Sequence, residues 1–225
     1  NKSNPDNIKK RALLTVFLIL FIDLLGFGIV VPILPYYIQT FGANGWDLGL
    51  LMMSYSFMQF LFSPFWGQIS DQWGRRPVLL ICILGSSLSL LLLALAPSLT
   101  WVFIARILGG FFGANISTAY AYVTDLTTEE ERPKSMGIVS AGFGLGFIVG
   151  PALGGILSTD GFNTPVFIAS FISIFNLVLS YFFLKESSTH RESRASHRIQ
   201  KWSKKSLEVL KNNPKSMHAI LLVFL

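Results

Sequence analysis

Six long apolar stretches constrain this chain more than any other feature of its sequence. Each holds about 20 mainly apolar residues, the length that an α-helix needs to cross the hydrocarbon core of a bilayer. Because lipid offers no hydrogen-bond partners to the backbone, such stretches must be helical. The predicted spans are residues 12–37, 48–68, 78–96, 99–123, 136–157 and 165–184. The sequence therefore predicts an all-α integral membrane protein.

The basic residues predict how these spans are oriented. Every Lys and Arg except Arg106 lies in the N-terminal segment, in the loops after the second and fourth spans, or in the segment 185–215. Basic loops face the cytoplasm, so we expect both the N-terminus and this segment to be cytoplasmic, in an inner or plasma membrane. This topology accounts for the net charge of +6, which therefore gives no support to nucleic-acid binding.

Three segments lie outside the six spans. Residues 1–11 are expected to form a cytoplasmic tail, and residues 216–225 are apolar but too short to cross a bilayer, as in the truncated start of a seventh helix. Residues 185–215 form a linker with nine basic residues. Apolar residues recur in this linker at near-helical spacing, which favours an amphipathic helix on anionic lipid headgroups. A disordered basic tether is the alternative.

A short internal repetition divides the spans into two groups of three. The matching positions, 88 residues apart, are Gly67, Ser70, Pro77 and Val78 in the first group and Gly155, Ser158, Pro165 and Val166 in the second. Each set lies between the second and third spans of its group, and the two sets face opposite sides of the membrane. Two three-helix units of opposite orientation form an inverted repeat, and the sequence predicts this arrangement.

The loop between the second and third spans is rich in small and charged residues. Gly67 permits close approach of helices, and Gly74 permits a tight turn of the backbone. Asp71 and Arg75 are four residues apart and can form an ion pair, and Arg76 can reach lipid headgroups. A charged topology anchor would need only a few of these residues, so the complete set favours a functional loop.

Two ionisable residues lie within the predicted spans. Arg106 is about seven residues into the fourth span and Asp23 about twelve residues into the first. Charge in hydrocarbon is costly, so both are expected to face the bundle interior or a water-filled cavity. Asp23 is a candidate proton or cation site, and Arg106 is a fixed cation for a carboxylate or a polar substrate group. The alternatives are snorkelling of Arg106 to the outer surface and a neutral structural Asp23.

Amides and glycines supply the remaining candidates. Gln59 and Asn115 lie at membrane depth and need polar partners, so we predict that they contact the substrate; hydrogen bonding between helices is the alternative. Gly146, Gly150 and Gly154 share one helical face, which predicts close packing against a neighbouring helix. The proline of this segment, Pro151, removes one backbone hydrogen bond and can bend the helix.

Several of these patterns closely resemble motifs of the major facilitator superfamily. The loop 67–79 resembles the family's signature between the second and third helices, except that Gln72 stands where a basic residue is common. Arg106 with the glycines after it resembles the fourth-helix motif, and residues 146–155 resemble the fifth-helix motif of proton-driven exporters. Residues 23–35 resemble the first helix of drug:proton antiporters. The closest likeness is to the tetracycline-exporter-like branch.

This resemblance implies a fold and a set of residue roles. It implies the N-terminal six-helix bundle of a fold in which two such bundles, joined by a cytoplasmic linker, rock around a central site; the C-terminal bundle is missing from this chain. The implied proton-coupling residues are Asp23 and Arg106. The implied cytoplasmic gate comprises Gly67, Asp71, Gly74, Arg75, Arg76 and Asp125. The implied packing motif of the antiporters comprises Gly146, Gly150, Pro151, Gly154 and Gly155.

The sequence therefore predicts a secondary transporter that exports a small amphipathic compound in exchange for protons. A facilitator or a proton symporter for sugars or other metabolites is the main alternative, and a transport-dead receptor or scaffold is another. No nucleophile–base arrangement, phosphate-binding loop or metal-ligand spacing is recognisable, so neither an enzyme nor a cofactor or metal is expected.

Overall fold

The computed structural model describes residues 5–158, 161–184 and 186, with side chains from residue 13 onward. These residues belong to one compact unit, Asn1–Ser187. The helices, in chain order, are α1 (Pro5–Gln39), α2 (Gly45–Trp73), α3 (Arg75–Ala94), α4 (Leu99–Phe112), α5 (Ile116–Leu126), α6 (Arg132–Leu157) and α7 (Asn163–Phe183). Except for residue 186, the predicted linker and the predicted start of a seventh helix lie outside the described residues.

The described part of the chain contains six helical spans that are long and apolar enough to cross a membrane. The first span is Leu13–Gln39 within α1, and the fourth, Leu99–Leu126, comprises α4, a 3-10 turn at Gly113–Asn115, and α5. The six predicted spans are thus confirmed. Most of the helices extend beyond the predicted spans because helical structure continues past the apolar core into polar residues. For the same reason α1 begins at Pro5, within the segment predicted to be a tail.

Short polar and glycine turns connect the spans. At the start of α2, the Asn44 side chain accepts hydrogen bonds from Trp46 N (2.8 Å) and Asp47 N (3.2 Å), while Asp47 Oδ2 accepts one from Asn44 N (2.8 Å). This capping box satisfies backbone groups that the first turn leaves free. Between α2 and α3 the only connecting residue is Gly74, whose φ of +104° favours glycine.

Packing between the spans follows the predicted two-fold repeat. The most extensive contacts join α1 to α6, α3 to α7, α1 to α7, and α4 to both α2 and α3. In an inverted repeat, the first, second and third spans correspond to the fourth, fifth and sixth. The contact of α1 (first span) with α6 (fifth span) then corresponds to the contact of the fourth span with α2 (second span). The contact of α3 (third span) with α7 (sixth span) corresponds to itself. The arrangement is therefore two three-helix units of opposite orientation, as in an inverted repeat.

The two sets of repeated residues make similar local contacts, although Gly67 and Ser70 lie inside α2 rather than in a loop, whereas Ser158 directly follows α6. Ser70 Oγ donates to Gly67 O (2.7 Å), and Ser158 Oγ donates to Gly155 O (2.8 Å). The proline that follows each pair occupies the third position of the next helix: Pro77 in α3 and Pro165 in α7. The short sequence repetition therefore corresponds to a structural one.

Candidate functional site

A cavity of about 220 Å³ lies between α1, α2, α3, the fourth span and α6. Its polar wall consists of Asp23, Tyr55, Gln59, Ser86, Ser89 and Arg106. Its apolar wall includes Leu24, Phe27, Leu90, Ile116, Phe143 and Phe147. One carboxyl group, one guanidinium group and several neutral polar groups thus line the same cavity as the aromatic rings. Such a mixture suits a small compound that is partly polar and partly apolar.

Asp23 is held by a long-range hydrogen bond to the fourth span. Asn115 Nδ2 donates to Asp23 Oδ2 over 3.1 Å. Asn115 lies at the end of the 3-10 turn that interrupts this span, where Ala114 departs from helical geometry (ψ 18°). Asn115 is 1% exposed and is not among the lining residues, so it lies behind the acid. Within the described residues its Oδ1 atom has no partner.

The interrupted span also orients Gln59. The carbonyl oxygen of Gly113 accepts a hydrogen bond from Gln59 Nε2 (2.9 Å). Gly113 leaves room for the hydroxyl of Tyr55, which a Cβ atom at this position would approach to 2.7 Å. Of the two predicted substrate contacts, Gln59 therefore lines the cavity directly, while Asn115 reaches it through Asp23.

Arg106 lies inside the bundle, with 4% of its surface exposed. Its guanidinium carbon lies 4.4 Å from the ring centre of Tyr55 and 5.6 Å from that of Phe27. Aromatic faces attract a cation. This position is the one predicted from the cost of charge in lipid, and it leaves no basis for snorkelling to the outer surface.

A second cluster of charged residues joins α2, α3 and α5 at the end of the bundle opposite the capped start of α2. Arg75 Nη2 pairs with Asp71 Oδ1 (2.6 Å), and Arg75 Nε pairs with Asp125 Oδ2 (3.0 Å). Arg75 Nη1 also donates to Ser70 Oγ (2.6 Å). One guanidinium thus holds three helices together through charged and neutral acceptors.

The same cluster extends to the end of α7. The backbone N–H groups of Arg75 and Arg76 donate to Glu186 Oε1 over 3.0 Å and 3.5 Å. Arg76 Nη2 donates to Tyr181 O (2.8 Å), and its guanidinium lies 5.6 Å from the Tyr181 ring centre. A carboxylate at the first turn of α3 is favourable for the helix dipole. Glu186, which follows α7, therefore contacts the turn between α2 and α3.

Comparison with known proteins identifies the family. The profile of the Major Facilitator Superfamily matches residues 16–225. This chain belongs to the major facilitator superfamily. Multidrug resistance protein 2 of Bacillus subtilis (strain 168) is 36% identical over 214 residues, which are 93% of this chain and 52% of that protein. Tetracycline resistance protein, class B, of Escherichia coli is 35% identical over 175 residues, 76% of this chain and 44% of that protein.

Solved structures agree with the major facilitator fold. The human organic anion transporter MFSD10 (TETRAN) matches with a TM-score of 0.71 and 28% identity, covering 80% of this chain and 48% of that chain. A bacterial homologue of the human lysosomal transporter Spinster, inward-facing and unoccupied, matches with a TM-score of 0.73 and covers 81% of this chain and 44% of that chain. At 18% identity this second match shows the fold alone. The chain spans about half the length of the curated relatives that it matches.

These findings confirm several predictions. The chain is a multi-pass integral membrane protein with the all-α major facilitator fold, and its superfamily consists of transporters rather than enzymes. The curated relatives are multidrug and tetracycline resistance proteins, as the resemblance implied. The roles of the individual site residues stay predictions.

The glycine motif of this major facilitator protein packs α6 against α1. Along α6, four glycines would each bring a Cβ atom to within 2.6–2.8 Å of a backbone atom of α1. These glycines are Gly142, Gly146, Gly150 and Gly154. Pro151 also lies against α1, close to Gly28. A Cβ atom at Gly155 would meet only open space, so this residue takes no part in the contact.

Sequence reasoning missed three parts of this arrangement. Gly142 continues the α6 stripe by one turn, and its spacing from Gly146 was the available signal. Phe27 follows Asp23 by four residues, which places both on one helical face, but its contact with Arg106 depends on the fold. The position of Glu186 against the start of α3 had no local signal, because the two segments are about 110 residues apart in the chain.

Proposed function

We propose that the full-length protein is a proton-coupled secondary transporter that exports small amphipathic compounds by alternating access. The observation that carries this proposal is a single cavity that is lined by Asp23, Arg106 and aromatic side chains. A titratable carboxyl group in a lipid-shielded chamber can carry a proton between two sides of a membrane. The resistance proteins among the relatives support drug or antibiotic efflux as the activity.

Each group of residues has a distinct role in this proposal. Asp23 carries the proton, and Arg106 supplies the fixed positive charge beside it. Gln59 contacts the substrate directly, whereas Asn115 orients Asp23 and contacts the substrate only when the cavity changes shape. The cluster around Arg75 holds the cytoplasmic side shut, and Gly74 permits the turn between α2 and α3. The close helix approach expected at Gly67 is not present, because a Cβ atom there would lie 3.9 Å from Ser117 Oγ, an ordinary contact distance. The glycine contact between α1 and α6 lets the two helices move together as one body.

Flux measurements on the full-length protein test this function. Reconstituted in proteoliposomes, it should accumulate amphipathic drugs against their gradient only when a proton gradient is imposed. A panel of drugs and sugars distinguishes the exporter from a metabolite facilitator. Sugar uptake that needs no proton gradient, with no drug transport, would contradict the proposal.

The orientation of the bundle belongs to the same proposal. We place the N-terminus, the turn at Gly74 and the 185–215 linker in the cytoplasm, because the basic residues collect on that side. A cysteine introduced at Asn163 should react with an impermeant maleimide in intact cells, whereas one introduced at Ser196 should react only after lysis. The natural Cys82 is fully buried and should add little background. Labelling in the reverse pattern would overturn this orientation.

A further inference from the structure

Arg106 has most of its hydrogen-bonding capacity unused. A guanidinium group has five N–H donors. Within the described residues, the only acceptor recorded for Arg106 is the thioether sulfur of Met52, 4.0 Å from Nη2, which is a weak partner. The Nε atom is buried and has no protein partner there. The faces of the group are covered by Tyr55 and Phe27, and Arg106 is one of the residues that line the cavity.

No carboxylate of the described residues neutralises this charge. Asp23 lines the same cavity, but it accepts its hydrogen bond from Asn115 and forms no ion pair with Arg106 in the part of the chain that the structure describes. A buried charge without a counter-charge is costly, and an anion that reaches it recovers much of that cost. Arginine also suits this task because its planar donors match the two oxygens of a carboxylate or sulfonate.

We propose that Arg106 is the anchor for the anionic group of a hydrophobic organic acid. The acid group would pair with the free edge of the guanidinium, and its apolar body would lie against the rings of Phe27, Phe143 and Phe147. This inference rests on the proposed function and narrows its substrate class from amphipathic compounds to organic anions. A neutral amphipath of the same shape would leave the positive charge uncompensated.

The aromatic wall distinguishes an organic acid from an inorganic anion. Phe27, Phe143 and Phe147 form a continuous run of rings, with centroid separations of 6.2 Å and 6.4 Å. Tyr55 extends this run to the guanidinium, since its ring lies 5.0 Å from that of Phe27. A small hydrated ion would gain nothing from this surface, whereas a ring system with one acidic group would use both parts of the site.

Binding of a matched pair of probes tests this inference without any proton gradient. We would compare 2-naphthoate with neutral 2-naphthamide by calorimetry on the purified full-length protein at neutral pH, at low and at high sodium chloride concentration. Charge-assisted hydrogen bonds predict that naphthoate binds about tenfold or more tightly than the amide. Arg106→Gln should abolish this preference, and Arg106→Lys should keep part of it. Lys134→Gln removes an exposed positive charge outside the cavity and should leave the preference unchanged.

Three results would overturn the inference. These are equal binding of the two probes, binding of neither, and an anion preference that survives in Arg106→Gln. Competition by chloride, with naphthoate and naphthamide otherwise bound equally, would show a site for inorganic ions only and would overturn it as well. Because these measurements need no gradient, they can fail while proton-driven export of other compounds succeeds, which separates this inference from the proposed function.

Discussion

Two arginines, Arg75 at the start of α3 and Arg106 in α4, have opposite surroundings. Arg75 pairs with Asp71 and Asp125 and donates to Ser70, so its guanidinium is satisfied by the protein itself. Arg106 lies between aromatic rings, and its recorded acceptor is a thioether sulfur at 4.0 Å. Arg75 is also closer to solvent, with 13% of its side chain exposed against 4% of Arg106 as a whole.

This difference distinguishes an arginine that fixes the positions of helices from an arginine that can bind a ligand. A guanidinium with its acceptors in place fixes the relative position of helices, and its motion requires that ion pairs break. A guanidinium without acceptors is kept in position by packing, and it stays available to a group that enters the cavity. Arginine can thus hold helices together at one end of the bundle and offer a binding group in its cavity.

The largest effect is expected at Arg106. Replacement by Ala removes the fixed charge of the cavity, so coupled transport in proteoliposomes should fall by about a hundredfold or to background. Replacement by Lys keeps the charge but loses the planar donors, and transport should fall less. Met52→Leu removes the weak thioether contact at similar volume and should transport nearly as the wild type does. Normal export by Arg106→Ala would show that the unsatisfied arginine has no function.

A smaller effect is expected when the satisfied arginine loses one partner. Asp71→Asn leaves Arg75 with Asp125 and Ser70, and transport should fall by about fivefold because the gate closes less firmly. Substrate affinity should stay close to that of the wild type, since the cluster lies outside the cavity.

The exposure of the two acids gives a control for this result. Asp71 and Asp125 are 55% and 39% exposed, so losing one pair should cost less than about 1 kcal/mol of folding stability. Glu129→Gln removes an exposed acid on the same side and should transport normally. Equal transport by Asp71→Asn and Glu129→Gln would exclude the gating role of this cluster.

The smallest effect is expected at Glu186. Glu186→Gln keeps an oxygen that can accept from the first turn of α3 but loses the negative charge there. The change should lower the stability by about 0.3–1 kcal/mol and slow transport slightly. Thermal unfolding of the purified protein and initial transport rates measure the two effects. A loss as large as that of Asp71→Asn would mean that the end of α7 belongs to the gate.

Features encoded locally were predictable from the sequence. The six spans follow from runs of apolar residues, and a tight turn at Gly74 follows from the short connection between the second and third spans. That Gly74 alone connects α2 and α3 was not predicted, because the helices extend into the polar residues on either side. Asp71 and Arg75 are one helical turn apart, so their pairing was also accessible. Burial of Arg106 followed from the cost of charge in lipid.

Contacts between distant residues were not predictable. The hydrogen bond from Asn115 to Asp23 joins residues 92 positions apart, and it depends on a 3-10 turn that no proline marks. The aromatic surroundings of Arg106 come from two other helices, so no sequence window contains them. Gly155 belongs to the recognised motif, yet it faces away from α1, because it directly follows Gly154 and so points in another direction.

The exchange Asp23→Asn tests the central claim, proton-driven export through this cavity, most directly. The introduced amide can still accept the hydrogen bond from Asn115 but cannot exchange a proton. In proteoliposomes with the full-length protein, the variant should exchange substrate across the membrane yet fail to accumulate it on a proton gradient. Its substrate binding should also lose whatever pH dependence the titration of Asp23 gives the wild type. Uphill transport by the variant with unchanged pH dependence would contradict the account.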